Sequence, residues 1–228
     1  MNGAVAIFVK TPGISPLKTR LAQGIGRDQA DEFYAQSLKA VEAVVTRATF
    51  DLAGLHSYWA VAEMQGMGHE LWRRFSTIEQ GSGGLGERLF QVSSQLLKKH
   101  DFVILIGADS PQISCKILVE AAEVLANKES RTRSFVLGKA TDGGFYLFGT
   151  QKELSLSIWQ GISYSQSDTA IKLENQLTLQ GQVHPLRVLS DVDTVEDLSQ
   201  ILDQFVRDED LLPEQRAIKN WIGQCLKS

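Results

Sequence analysis

The 228-residue chain predicts an α/β fold built on a largely parallel sheet. Two unbroken apolar runs of strand length, AVAIFV at residues 4–9 and FVILIG at 102–107, have the composition of strands covered on both faces. Shorter strand-like stretches alternate along the chain with segments of helical period, the pattern of a sheet flanked by helices. There is no internal repeat, low-complexity tract or long linker, so a single domain over residues 1–228 is expected.

Taken in order, strands are predicted at 4–9, 57–62, 76–80, 102–107, 134–139, 145–148 and 183–189. A helix follows Asp28, a suitable N-cap, because Phe33, Leu38, Val41 and Val45 recur on one face. Leu85, Leu89, Val92 and Leu96 mark a helix over 86–98, and Ile117, Leu118, Ala121, Val124 and Leu125 mark another over 114–126. Thr194, with Asp197 three residues on, reads as the cap of a helix, and Pro213 suits the first position of a further one.

Bulk properties exclude several classes of function. A formal net charge of −4 gives no global basic field, so nucleic acid is not an expected partner. Cys115 and Cys225 lie far apart without metal-ligand spacing and read as reduced thiols of a cytoplasmic protein. The apolar amino terminus is cut by Pro12, too soon for a signal sequence, and no run approaches the roughly 20 residues that span a bilayer. The sequence leaves the oligomeric state open.

Ligands of such sheets bind at the carboxyl ends of the strands. Directly after the first strand comes KTPGISPLKTRLA, a turn-rich loop carrying Lys10, Lys18 and Arg20. Backbone amides and cations together suit a phosphate, although the Walker A spacing is missing; a solvated loop is the plain alternative. Asp109 ends the 102–107 run, and Asp191 and Asp193 end the last predicted strand. Each has an ordinary reading: Asp109 as a turn former before Ser110, which can cap the following helix, with Pro111 in its first turn, and Asp191 and Asp193 as charge near a helix start. Carboxylates from two strands at one sheet edge also suit Mg²⁺ or Mn²⁺, which is held by one or two carboxylates plus phosphate oxygens and water. Asp142, followed by Gly143 and Gly144, is a turn signal that can also accept from sugar hydroxyls or act as a base.

A rival reading comes from QGSGGLGERL. Its Gly81, Gly83 and Gly86 form a G-x-G-x-x-G at a helix start, with Asp109 about twenty residues on, as in a dinucleotide-binding oxidoreductase. The strand before it is polar, and this reading gives the basic loop and the Asp191/Asp193 pair no task.

In this order, KTPGISPLKTRL, GGLGERL, GADSP, TDGGFYLFG and DVDTVEDL resemble a bacterial family of small glycosyltransferase-A-like proteins, often labelled glycosyltransferases of the arsenosugar-biosynthesis type. The resemblance runs from Lys10 to about Leu198. It implies a three-layer α/β/α sandwich of the nucleotide-diphospho-sugar transferase superfamily, which also contains nucleotidyltransferases. It further implies Asp109 and Asp193 as ligands of Mg²⁺ or Mn²⁺, with Lys18 and Arg20 on the phosphates. Gly83, Gly84 and Arg88, with Lys10, would serve the nucleotide, and Asp142, Gly143 and Gly144 the sugar or acceptor. The activity implied is transfer of a sugar from a nucleotide diphosphate to a small acceptor. Nucleotidyl transfer from an NTP to a phosphorylated molecule is the runner-up, and a catalytically idle nucleotide-binding domain is a further possibility. The sequence departs from the family at Tyr164, where members often carry tryptophan. GADSP also has one aspartate rather than D-x-D, so a metal site there needs Asp193.

Overall fold

A computed structural model describes residues 1–127, 134–206 and 210–227. Its strands are β1 (Gly3–Val9), β2 (Leu55–Val61), β3 (Ser76–Glu79), β4 (Phe102–Gly107), β5 (Ser134–Lys139), β6 (Phe145–Thr150) and β7 (Gln182–Pro185), joined in one sheet of order β3-β2-β1-β4-β6-β5-β7. Every neighbouring pair is parallel except those of β6, which runs antiparallel to β4 and β5. The α/β class and the mostly parallel sheet follow the expectation from sequence. The last strand is shorter than its apolar run, because the ladder stops at Pro185; Leu189 returns only as an isolated bridge to Ala140.

Alternation along the central strands sends side chains to two layers. Val5, Ile7 and Val9 of β1, with Ile104 and Ile106 of β4, pack under α2 (Arg27–Asp51) and α4 (Cys115–Ala126). Ala4 and Ala6, with Val103 and Leu105, face the opposite layer of α3 (Leu85–Leu97), α5 (Leu156–Gln160) and α6 (Thr169–Thr178). A third cluster joins α1 (Thr19–Ile25) and the start of α2 to α7 (Val195–Val206) and α8 (Pro213–Cys225), through Leu21, Phe33, Leu198, Phe205 and Ile222.

Two caps differ from the sequence reading. Gly26, not Asp28, is the N-cap of α2, since α1 ends one residue earlier and the chain turns at Gly26. Ser114, not Ser110, caps α4, its hydroxyl accepting from Ile117 N–H at 3.4 Å. Asp109 therefore stands five residues ahead of that cap, and helix capping does not explain it. The capping role of Asp197 is as expected: its Oδ2 accepts from the backbone of Asp193 and Thr194 and from the Thr194 hydroxyl.

Register places the strand ends that matter. Ile7 pairs with Ile106 and Phe8 with Gly107, so the chain leaves β1 towards Lys10 beside the point where it leaves β4 towards Asp109. Because β6 is antiparallel, with Leu147 opposite Ile106, its amino end lies at this same edge and brings Asp142 there.

Candidate active site

A cleft of about 710 Å³ opens at this edge. It is lined by Lys10, Lys18, Arg20, Gly83, Gly84, Arg88, Asp109, Asp142, Gly144 and Asp193, which five separate segments bring together, and by Asp191. Gly143 does not line it. Its φ of 92° and the 2.0 Å between a built Cβ and Ser167 O show a packing role, and its carbonyl accepts from Ala170 N–H at 2.8 Å.

The basic segment is partly helical, since α1 begins at Thr19. Lys18 precedes it in the left-handed region, with φ 42° and ψ 44°. Among the described residues, Lys18 and Ser165 are the non-glycine residues with positive φ, and both line the cleft. Such a conformation costs about 1–2 kcal/mol and persists where the surroundings enforce it. For Lys18 the enforcement is visible. Its side chain is 5% exposed, its Nζ lies 3.0 Å from Asp109 Oδ2, and it donates to Val192 O at 2.5 Å. One ammonium thus joins the β1, β4 and β7 loops, and Val192 N–H closes the link by donating to Asp109 O at 3.3 Å. Arg20 pairs with Asp193 at 3.2 Å, in the open. The cations and carboxylates that sequence assigned to phosphate and metal therefore offset one another.

Neighbouring side chains set this geometry. Tyr34 on α2 accepts from Lys10 N–H at 3.0 Å and donates to Lys10 O at 2.8 Å; burial pushes its phenol up. One turn on, the buried Ser37 donates to Ala108 O. One helix face thus fixes both strand ends. Gln112 donates to Ser190 O and Gln204 Oε1, and Gln215 on α8 donates to Pro111 O and Ile113 O, each at 2.9 Å. On the other side Gln80 donates to Val9 O and Ala60 O, and accepts from Arg88, whose Nε holds Gly83 O at 3.0 Å. Arg88 is thus tied to the glycine loop. Sequence reasoning missed these residues. A polar Ser37 on an otherwise apolar helix face was the one local signal.

The strand order bears on the dinucleotide reading. The glycine loop follows β3 at the sheet edge, with β2 and β1 between it and β4. Asp109 cannot serve it as the acidic residue at the end of an adjacent strand.

Asp191 carries the clearest electrostatic signal. Burial pushes its carboxyl up to about 6, and Asp142, Asp109 and Asp193 push the same way. Among the described residues no group of three or more His, Cys, Asp or Glu is placed to hold a metal by itself. The donor set nonetheless fits a hard divalent cation bound jointly with phosphate, which needs one or two carboxylates and relieves such crowding. The raised value also fixes a pH dependence. The unfolded chain releases this proton near the ordinary value of 3.8, the folded one near 6. The stability this group contributes is complete below about pH 4 and is lost as pH rises through about 6. Asp191→Asn is therefore expected to melt above the wild type at about pH 7.5, by roughly 1–2 kcal/mol, with the gap closing towards pH 4. Melting curves across that range check this; a gap independent of pH would refute the assigned cause.

Residues 37–166 match the family described as "Uncharacterized protein conserved in bacteria (DUF2064)", and the chain belongs to that family. No curated protein matches it in sequence. In structure it is similar to a candidate nucleotide-diphospho-sugar transferase from Desulfovibrio desulfuricans G20, with TM-score 0.82 and 23% identity, covering 100% of this chain and 98% of that one. The 4-diphosphocytidyl-2C-methyl-D-erythritol synthase of Anaerococcus prevotii DSM 20548 follows with TM-score 0.55 and 11% identity, over 90% and 97% of the two chains. A cytidylyltransferase from Leptospira borgpetersenii gives 0.52 and 13%, over 100% and 96%. The chain shares its fold with that candidate nucleotide-diphospho-sugar transferase. No helix among the described residues is long and apolar enough to cross a membrane.

Proposed function

We propose that the protein transfers a sugar from a nucleotide diphosphate to a small acceptor, assisted by Mg²⁺ or Mn²⁺. The observation that carries this reading is the convergence of Lys18 and Arg20 with Asp109, Asp191 and Asp193 at the mouth of one cleft. Asp109 and Asp193 would hold the ion, which offsets diphosphate charge as the nucleotide departs. Lys18 and Arg20, exchanging carboxylate for phosphate, would bind and orient the diphosphate, a contribution of position and electrostatics. Gly83, Gly84 and the tethered Arg88 would border the nucleoside, near Lys10. In the transfer an acceptor oxygen bonds to the anomeric carbon while the bond from that carbon to the β-phosphate oxygen breaks. The acceptor proton passes to Asp142 if the reaction inverts, and nucleoside diphosphate leaves.

Nucleotidyl transfer is the second reading, favoured by the names of two neighbours of the same fold, the cytidylyltransferase and the diphosphocytidyl-methylerythritol synthase. It releases pyrophosphate rather than nucleoside diphosphate. A melting panel with UDP, GDP, UDP-sugars, GTP, CTP and NADH, each with and without Mn²⁺, tests both. Ligand at about a hundred times its Kd adds roughly 2.7 kcal/mol to stability. A rise that needs Mn²⁺ and disappears in Asp109→Ala and Asp193→Ala is the expected result. A metal-independent rise with NADH alone would overturn the proposal.

A further inference from the structure

We propose that the part of the cleft beyond Asp109 takes an uncharged or cationic acceptor with an aromatic or branched apolar group, and rejects phosphorylated molecules. This rests on the transferase reading of the same cleft and gives it a substrate class.

The sheet order lays the cleft out from side to side. Gly83, Gly84 and Arg88 lie towards β3, the Lys18–Asp109 pair at the adjacent ends of β1 and β4, and the segments around β6 and α6 beyond. Among the described lining residues, the cations Lys10, Lys18, Arg20 and Arg88 all come from the segment after β1 or from α3. The far part carries no Lys or Arg in that lining; its charged groups are Asp142 and Asp191. The nearby Lys139 does not line the cleft and pairs with Glu174 at 2.6 Å. An incoming phosphate would meet carboxylates with no cation set against them, and like charge in a partly desolvated cleft is strongly unfavourable.

Apart from Ser165, the hydroxyls there do not compensate. Tyr164 donates to Trp159 O at 3.1 Å, and Tyr146 to Arg187 O at 2.7 Å. Thr169 donates within its own loop, to Ser163 O and Gln166 O. A hydroxyl has one proton, so each of these can accept from a ligand but has no donor left for an anion. Burial pushes both phenols up, so they stay protonated. What remains to meet a ligand, besides Ser165, is ring surface. Phe145 and Tyr164 are half-buried against the apolar layer of α3, α5 and α6. Such a wall rewards apolar area and planar stacking. Glycosyl transfer needs only a nucleophile such as a hydroxyl on such a molecule, whereas nucleotidyl transfer to a phosphate needs the group this wall disfavours.

The test compares 2-naphthol with 2-naphthyl phosphate, the same ring with and without the anion, by fluorescence anisotropy at neutral pH. The wild type is expected to bind 2-naphthol saturably and at least about tenfold more tightly than the phosphate. Asp142→Lys is expected to narrow or reverse that preference. Tyr164→Ala is expected to weaken 2-naphthol roughly tenfold, and Tyr164→Phe, which keeps the ring, to preserve it. The proposal is overturned if 2-naphthol does not bind, if the phosphate binds as tightly, or if Tyr164→Ala and Phe145→Ala leave binding unchanged in folded protein. Nucleotide-dependent melting shifts on the same samples keep the two readings apart. Their absence beside intact probe selectivity would sink the transferase reading alone.

Discussion

Asp109→Asn is expected to abolish the Mn²⁺-dependent rise in melting temperature with nucleotide and to cut turnover about 10²–10³-fold. The substitution keeps shape and removes charge. Two consequences follow from the 3.0 Å pair with Lys18. A ligand oxygen for the divalent cation becomes a weaker one, and an ammonium only 5% exposed loses its carboxylate. Leaving one member of a buried pair unpaired costs about 3–5 kcal/mol, and the 45% exposure of Asp109 scales this down to roughly 1–3. The ligand-free variant should therefore also melt earlier. Lys18→Met removes the stranded charge, so Lys18→Met/Asp109→Asn should recover part of the lost stability but none of the metal response; a double-mutant cycle in urea measures that coupling. A variant that keeps its Mn²⁺-dependent shift would reduce Asp109 to a partner of Lys18.

Gly143→Ala is expected to be the most damaging small substitution near the cleft. Its added methyl would stand 2.0 Å from Ser167 O and 2.3 Å from Ser167 C, atoms of the backbone that cannot swing aside. At φ 92° the residue also lies where a side chain is disfavoured by about 1–2 kcal/mol. Together these should cost roughly 3 kcal/mol or more, about 6–12 °C in a chain of this size. The segment holding Tyr164 and Ser165 must shift, whereas the Lys18–Asp109 pair rests on other elements. Ligand-free melting should fall while the nucleotide-dependent increment survives. An unchanged melting temperature would mean that the backbone approach at Ser167 relaxes freely.

The strands were legible because the sheet buries both faces of β1 and β4, and continuous apolar runs have few other uses. α6 was missed although Ala170, Leu173 and Leu177 carry its period, because the polar residues around them dilute the signal. α1 was read as loop since its seven residues follow a turn-rich stretch. At the site, residue type and position at strand ends were enough to find the charges. How they are used was hidden. The Lys18–Asp109 pair depends on two loops meeting, and the ties made by Ser37, Gln112 and Gln215 run from side chain to backbone across 71, 78 and 104 residues. Such bonds answer to no local pattern. The role of Gly143 was legible only as freedom to turn, whereas the fold uses it as space for another segment.

The tie from Gln215 has a consequence for how the protein is made. Chains emerge from the ribosome amino end first, and β1, β2 and β4 can pair early. The loop after Asp109 stays without its anchors at Pro111 O and Ile113 O until α8 is outside the tunnel and docked. The sheet can thus stand before the carboxylate loop is fixed, and a nascent chain stalled before residue 215 should hold a formed scaffold with an unfinished site.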